Sequence, residues 1–217
     1  MYKKYILLIF LILIFQKTLL AETIKVFDFT EVEFSNLKVK KVRGAKNKTK
    51  YSLGENKNGN FIRSEAKNAA SGLGKEIKID LSKTPFLNIT WKVEKNLPGI
   101  NENNKKGHDY AARVFVIKKT GATPLSNRAM NYVYSSNNAI NTNQPSPYTK
   151  KSIDYVLSTT TENLNKWITV KVNVQEHFKK FHNLDIGDIE GIAIMTDTDN
   201  SKKSAIAYYQ NIYFSSE

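Results

Sequence analysis

The chain has 217 residues, 41% of them apolar, no cysteine, and 33 Lys+Arg against 20 Asp+Glu, a formal charge of +13. Without cysteine there is no disulfide, no thiol nucleophile and no Cys-based zinc site, so the core alone must hold whatever domain forms. The positive balance favours anionic partners, yet much of it lies in Asn/Lys-rich stretches, 38–50 and 101–106, where biased composition accounts for it as readily as a ligand does.

At the N-terminus Lys3 and Lys4 precede an unbroken apolar run, 5–15, and Gln16-Lys17-Thr18 leads into Leu19-Leu20-Ala21. This is the charged, apolar and small-residue order of a secretory signal peptide. The run is too short for the ~20 residues of a membrane-spanning helix. Cleavage is expected after Ala21, although Leu19 fits an A-x-A site poorly. The expected organisation is a signal peptide, 1–21, and a single domain, 22–217, in the periplasm or secreted, with no stable membrane span and, lacking cysteine, no lipoprotein anchor. Removing Lys3, Lys4 and Lys17 leaves 30 basic against 20 acidic residues, a charge of +10. No nucleic-acid partner is expected.

The rest of the chain reads as short β-type segments separated by Gly, Asn and Pro clusters. Strands are predicted over 24–29, 50–53, 60–65, 74–80, 86–93, 110–118, 129–134, 154–158, 167–172, 191–196 and 205–214. Such spacing predicts an all-β fold, an antiparallel β-sandwich of the jelly-roll, galactose-binding-like type. One short helix is predicted: Asn173 caps it, Glu176 follows three residues on, and Val174, Phe178 and Phe181 form an apolar stripe. The segment 135–151, with Pro145 and Pro147, is predicted as a long polar loop.

Within 109–117 strand alternation puts Arg113 on the face of Phe115 and Ile117, with Asp109 on the same side. A guanidinium in mid-strand requires a carboxylate, because an unpaired buried charge is very costly. Asp109, Asp197 and Asp199 are the candidate partners, and an Arg fork also grips carboxylates and sulfates on a ligand. The tetrad Asp197-Thr198-Asp199-Asn200 has the oxygen chemistry of a Ca²⁺ site, but lacks the Gly and closing Glu of an EF-hand. It equally makes an Asx turn between two strands.

His108, His177 and His182 show no zinc-type spacing, and no G-x-S-x-G elbow marks a nucleophile. Asp109, Asp154, Asp197 and Asp199 are available as paired acids for a glycosidase. Among the aromatics, Tyr132, Tyr134, Tyr148, Trp167, Tyr208 and Tyr209 are either core or a platform on which sugars stack.

From Trp91 onward the chain resembles a bacterial exported family, domain of unknown function 3047. The resemblance rests on Trp91-Lys92-Val93, Asp109-Tyr110-Ala111-Ala112-Arg113-Val114, Asn131-Tyr132-Val133-Tyr134, Trp167, Asn173-Val174, Phe178 with Phe181, the run 192–200 and the closing 207–214. Tyr134 stands where the family tends to carry Trp, and 171–173 replaces a more Arg-containing stretch. The resemblance implies an exported β-sandwich and no mechanism. Ser71-Gly72-Leu73 and Pro85 add a likeness in pattern to the jelly rolls of carbohydrate-binding modules.

Together these readings predict a non-catalytic module that binds a glycan or an anionic envelope polymer. Asp109, Arg113, Tyr132, Tyr134 and Trp167 are the expected ligand contacts, and Asp197, Asp199 and Asn200 the metal ligands where calcium is held. No catalytic residue is assigned. A polysaccharide hydrolase with paired Asp residues and a structural envelope subunit with a protein partner are the alternatives.

Overall fold

The computed structural model describes residues 21–217; the predicted signal segment up to Leu20 lies outside the described residues. Thirteen strands form two sheets among the described residues, and no helix there is long and apolar enough to cross a membrane. The first sheet contains β1 (Thr23–Lys25), β3 (Lys50–Asn56), β4 (Gly59–Lys67), β6 (Phe86–Lys95), β11 (Ile168–Asn173) and β13 (Ser204–Ser215), in the order β11-β6-β13-β4-β3 with β1 added to β13. The second contains β2 (Lys38–Lys41), β5 (Ala70–Asp80), β7 (Ala112–Lys118), β8 (Arg128–Ser135), β9 (Asn143–Ser146), β10 (Thr149–Thr159) and β12 (Asp188–Asp197). Its order is β2-β5-β12-β7-β8-β10-β9.

All pairings are antiparallel except β8 with β10. The fold is the expected jelly-roll β-sandwich. The core follows from the period of two: Leu87, Ile89, Trp91 and Val93 of β6 face Ala112, Val114 and Val116 of β7, with Ile192 and Ile194 of β12 beside them. Burying a side chain of this size contributes about 1.5–3 kcal/mol, and the Trp91 ring packs 5.4 Å from Tyr134 between the sheets.

Three α-helices are present among the described residues rather than one: α1 (Glu31–Asn36), α2 (Thr160–Asn163) and the predicted α3 (Val174–His182). In α3 the Asn173 side chain accepts from the Glu176 backbone N–H, Val174 and Phe178 are fully buried, and Asn183 ends the helix in the left-handed conformation. The segment predicted as strand over 24–29 gives only β1, because Phe29 turns to positive φ and Thr30 caps α1.

The predicted loop 135–151 contains β9 and runs into β10, and the Lys-rich 38–50 stretch contains the edge strand β2. Edge strands carry charge comfortably, which is why Lys38, Lys40 and Lys41 read as loop in the sequence. Buried Glu102 anchors the start of the 135–151 segment by accepting from Ser135, the Ser136 amide and Asn138.

A candidate ligand cleft on the seven-stranded sheet

On the outward face of the seven-stranded sheet lies a cleft of about 730 Å³. Its floor is built by alternation. Where Ala112, Val114 and Val116 point inward, Arg113 and Phe115 point out; Met195 and Asp197 do so on β12, and Asn131 on β8. The walls come from loops: Arg43 after β2, Lys105 and Lys106 from 101–106, Tyr148 between β9 and β10, and Asn200 and Lys202 after β12. The Asn/Lys-rich stretches thus meet around one hollow.

Arg113 is only 2% exposed. Its Nε donates to Asp197 Oδ1 at 2.7 Å, its Nη2 to Asp197 Oδ2 at 2.5 Å and to the His108 carbonyl at 2.9 Å. The expected carboxylate partner is therefore Asp197, in a two-toothed fork. Burial opposes the charge of Arg113, but the Asp197 and Asp154 carboxylates more than offset it. Burial also pushes the Asp197 carboxyl up, with Arg113 pulling against it and Asp109 adding to the rise. The fork geometry holds the pair ionic, since both carboxylate oxygens face guanidinium N–H groups. Nη1 of Arg113 has no protein partner among the described residues and is not sealed from solvent.

Beside the fork, His108 Nε2 lies 2.6 Å from Asp154 Oδ2, and Asn131 Nδ2 donates to Asp154 Oδ1 at 2.5 Å. Burial lowers the pKa of His108 more than Asp154 raises it, so the ring is neutral near pH 7. A carboxylate accepts only N–H, which places the proton on Nε2 and the lone pair on Nδ1. The turn before His108 requires glycine: a Cβ on Gly107 would sit 2.4 Å from the Asn101 carbonyl oxygen. Tyr148, 55% exposed, stands edge-on to His108 at 5.6 Å, and its hydroxyl donates to Asn200 Oδ1 at 2.5 Å.

Carboxylate oxygens of Asp109, Asp197 and Asp199 lie within 4.8 Å of one another. The lone pairs of Asp109 and Asp197 are directed elsewhere. Asp109 Oδ1 accepts from the Asn200 amide and side chain at 3.1 and 3.0 Å, and Oδ2 from the Ser201 amide at 2.6 Å. Asp197 accepts from Arg113 and the Tyr110 amide, and Asn200 Oδ1 from Tyr148. A guanidinium already supplies the positive charge that calcium would bring, so these residues do not fit a calcium shell. The tetrad named for calcium forms the turn between β12 and β13, with the Asp197 and Asn200 side chains committed to Arg113, Tyr110, Tyr148 and Asp109. Of the four acids named for the paired-acid alternative, Asp109, Asp154 and Asp197 are each tied to N–H donors, and Asp199 accepts no side-chain hydrogen bond among the described residues.

Other expected contacts are elsewhere. Tyr132 and Tyr134 are fully buried, Tyr134 against Trp91, so neither offers a ring face to a ligand. Met130, Tyr132 and Tyr134 share the inward side of β8 and Asn131 the outward side, an alternation visible in the sequence run itself. Trp167 is half-buried on the outward face of the opposite sheet, within 5.8–5.9 Å of Phe61 and Tyr208. Asp109 is buried beneath the rim and organises the turn rather than facing the cleft. The residues absent from the expected site set, His108, Asn131, Tyr148 and the basic rim, come from segments far apart in the chain.

The chain belongs to the family described as protein of unknown function (DUF3047), whose model matches residues 35–213. No curated protein matches it. Among solved structures it is similar to a family 30 carbohydrate-binding module, with 8% identity over 90% of this chain and 99% of that one and a TM-score of 0.48. It is also similar to the xyloglucanase domain of NopAA from Sinorhizobium fredii (11% identity, 82% and 92% covered, TM-score 0.45). A third is Trichoderma harzianum endoglucanase 3 from family GH12 (8% identity, 90% and 96% covered, TM-score 0.45). At these identities the likeness concerns the fold alone.

Proposed function

We propose that this chain is an exported, non-catalytic β-sandwich module that binds a glycan in the cleft on its seven-stranded sheet. One observation carries the reading: the floor holds buried polar side chains, Arg113, His108 and Asn131, each with a hydrogen-bonding atom not used by the protein. Asn131 Oδ1 is sealed without a partner, which is costly, whereas Arg113 Nη1 and His108 Nδ1 are reached by solvent and open to a ligand among the described residues. They are accounted for by a ligand rich in hydroxyl groups, and Tyr148 and Phe115 supply rings for the apolar faces of sugars.

The test is a thermal-shift and calorimetric panel of neutral and charged oligosaccharides. A ligand that binds only the native state at a hundred times its Kd adds about 2.7 kcal/mol of stability. Tyr148→Ala, at an exposed position, is expected to leave the unliganded midpoint within a degree or two and to weaken binding about tenfold. No midpoint shift with any oligosaccharide overturns the reading.

A further inference from the structure

We infer that the cleft selects an acidic sugar, one ring bearing both hydroxyl groups and a carboxylate or sulfate; this rests on the glycan-binding reading above. The argument comes from what each floor atom is able to accept or donate. Arg113 Nη1 is a cationic N–H donor with no protein partner among the described residues, in a side chain 2% exposed. Its other nitrogens are committed to Asp197 and the His108 carbonyl, so the guanidinium is held rigidly and its free edge lines the cleft. A rigid cationic donor of this kind matches an anionic oxygen.

The neighbouring floor atoms are acceptors. His108 Nδ1 carries a lone pair because Nε2 faces Asp154, and Asn131 Oδ1 is buried without a partner because Nδ2 is committed to the same Asp154. Acceptors of this kind call for hydroxyl donors. A simple inorganic anion satisfies Arg113 Nη1 but leaves both acceptors empty, and a neutral sugar satisfies the acceptors but brings no anionic oxygen to Nη1 or to the basic rim, the Arg113 charge itself being paired with Asp197. An acidic sugar satisfies all three.

The rim adds the same preference at longer range. Arg43, Lys105, Lys106 and Lys202 surround the opening, and none has a carboxylate within ion-pair distance among the described residues. Clustered cations over a low-dielectric hollow focus the field and raise the local concentration of an anionic chain.

The experiment is isothermal titration of the protein with three matched oligosaccharides, neutral, uronate-bearing and sulfated, at low and high salt, and with an Arg43→Ala/Lys106→Ala variant. Those two side chains lie on loops at the rim, so folding is expected to be unchanged. The expected result is binding of an acidic oligosaccharide at least tenfold tighter than the neutral one, weakened by salt and reduced about five- to tenfold in the variant. Whichever of the uronate and sulfated arms binds tighter identifies the anionic group. Equal binding of neutral and acidic chains overturns the inference while leaving the glycan reading intact. Acidic binding untouched by the variant and by salt overturns it as well, since the anion then sits away from the cleft. No binding in any arm overturns the glycan reading itself.

Discussion

The two sheets turn opposite chemistries outward. On the seven-stranded sheet the outward face sinks Arg113, Asp197, His108 and Asp154 below an open cleft, all four at or under 5% exposure. On the six-stranded sheet the outward face carries a half-buried cluster of Phe61, Trp167 and Tyr208, with Lys92 Nζ 4.1 Å from the Tyr208 ring centroid. Tyr208 there pairs with Lys92 on one side and Arg63 on the other. Aromatic rings cover that surface by packing on one another, which needs no loops. The buried charges of the first face are partnered from distant segments: Asp197 reaches Arg113 across 84 positions from the neighbouring strand β12, and Asp154 on β10 meets His108, on the loop before β7, across 46. An aromatic face is closed on itself, whereas the charged face is held open by its loops and keeps polar atoms available.

The sharpest way to break this comparison is Arg113→Ala. It leaves Asp197 buried without its cation and is expected to cost about 3–5 kcal/mol, read by chemical denaturation. Replacing the pair together, Arg113→Met with Asp197→Leu, is expected to restore most of that stability while acidic-sugar binding stays lost. Recovery of binding in the double variant would make the fork a purely structural device.

On the other face, Trp167→Ala removes a half-buried ring and is expected to cost about 1–2 kcal/mol with cleft binding unchanged. A loss of oligosaccharide binding in this variant would show that the aromatic face, not the cleft, is the ligand surface.

The smallest effect concerns pH. Burial, with Lys180 adding, lowers the pKa of His177 to about 4, and burial also lowers those of His108 and His182. Unfolded histidine takes up its proton near pH 6.5 while the folded rings resist, so the unfolded state binds more protons. The stabilisation is therefore fully present above pH 6.5 and is lost as pH falls from there towards 4. Allowing for the partial exposure of His177, its share is on the order of 1–2 kcal/mol. His177→Phe, in a pocket already shared with Tyr132, Tyr155 and Phe181, is expected to flatten the acid limb of stability against pH. An unchanged limb would assign the acid loss to His108 and His182.

By itself the sequence determined what depends on neighbours along the chain. The period of two in 86–93, 110–118 and 191–196 divided β6, β7 and β12 into two faces. Asn173 and Glu176 specified the start of α3, and the cost of an unpaired guanidinium specified that Arg113 has an acidic partner. Only the tertiary structure decided which acid that is, because Asp109, Asp197 and Asp199 all satisfy the same chemical demand and differ only in where the β12–β13 turn places them. Tyr132 and Tyr134, which read equally as core or as ligand contacts, are core, and Trp167, expected beside them, lies on the outward face of the other sheet. A strand pattern states that two faces differ, but not which one meets the partner sheet. The cleft is legible only after folding, since its floor and rim draw on separate stretches of chain, from Val42 to Lys202, that nothing local in the sequence holds together.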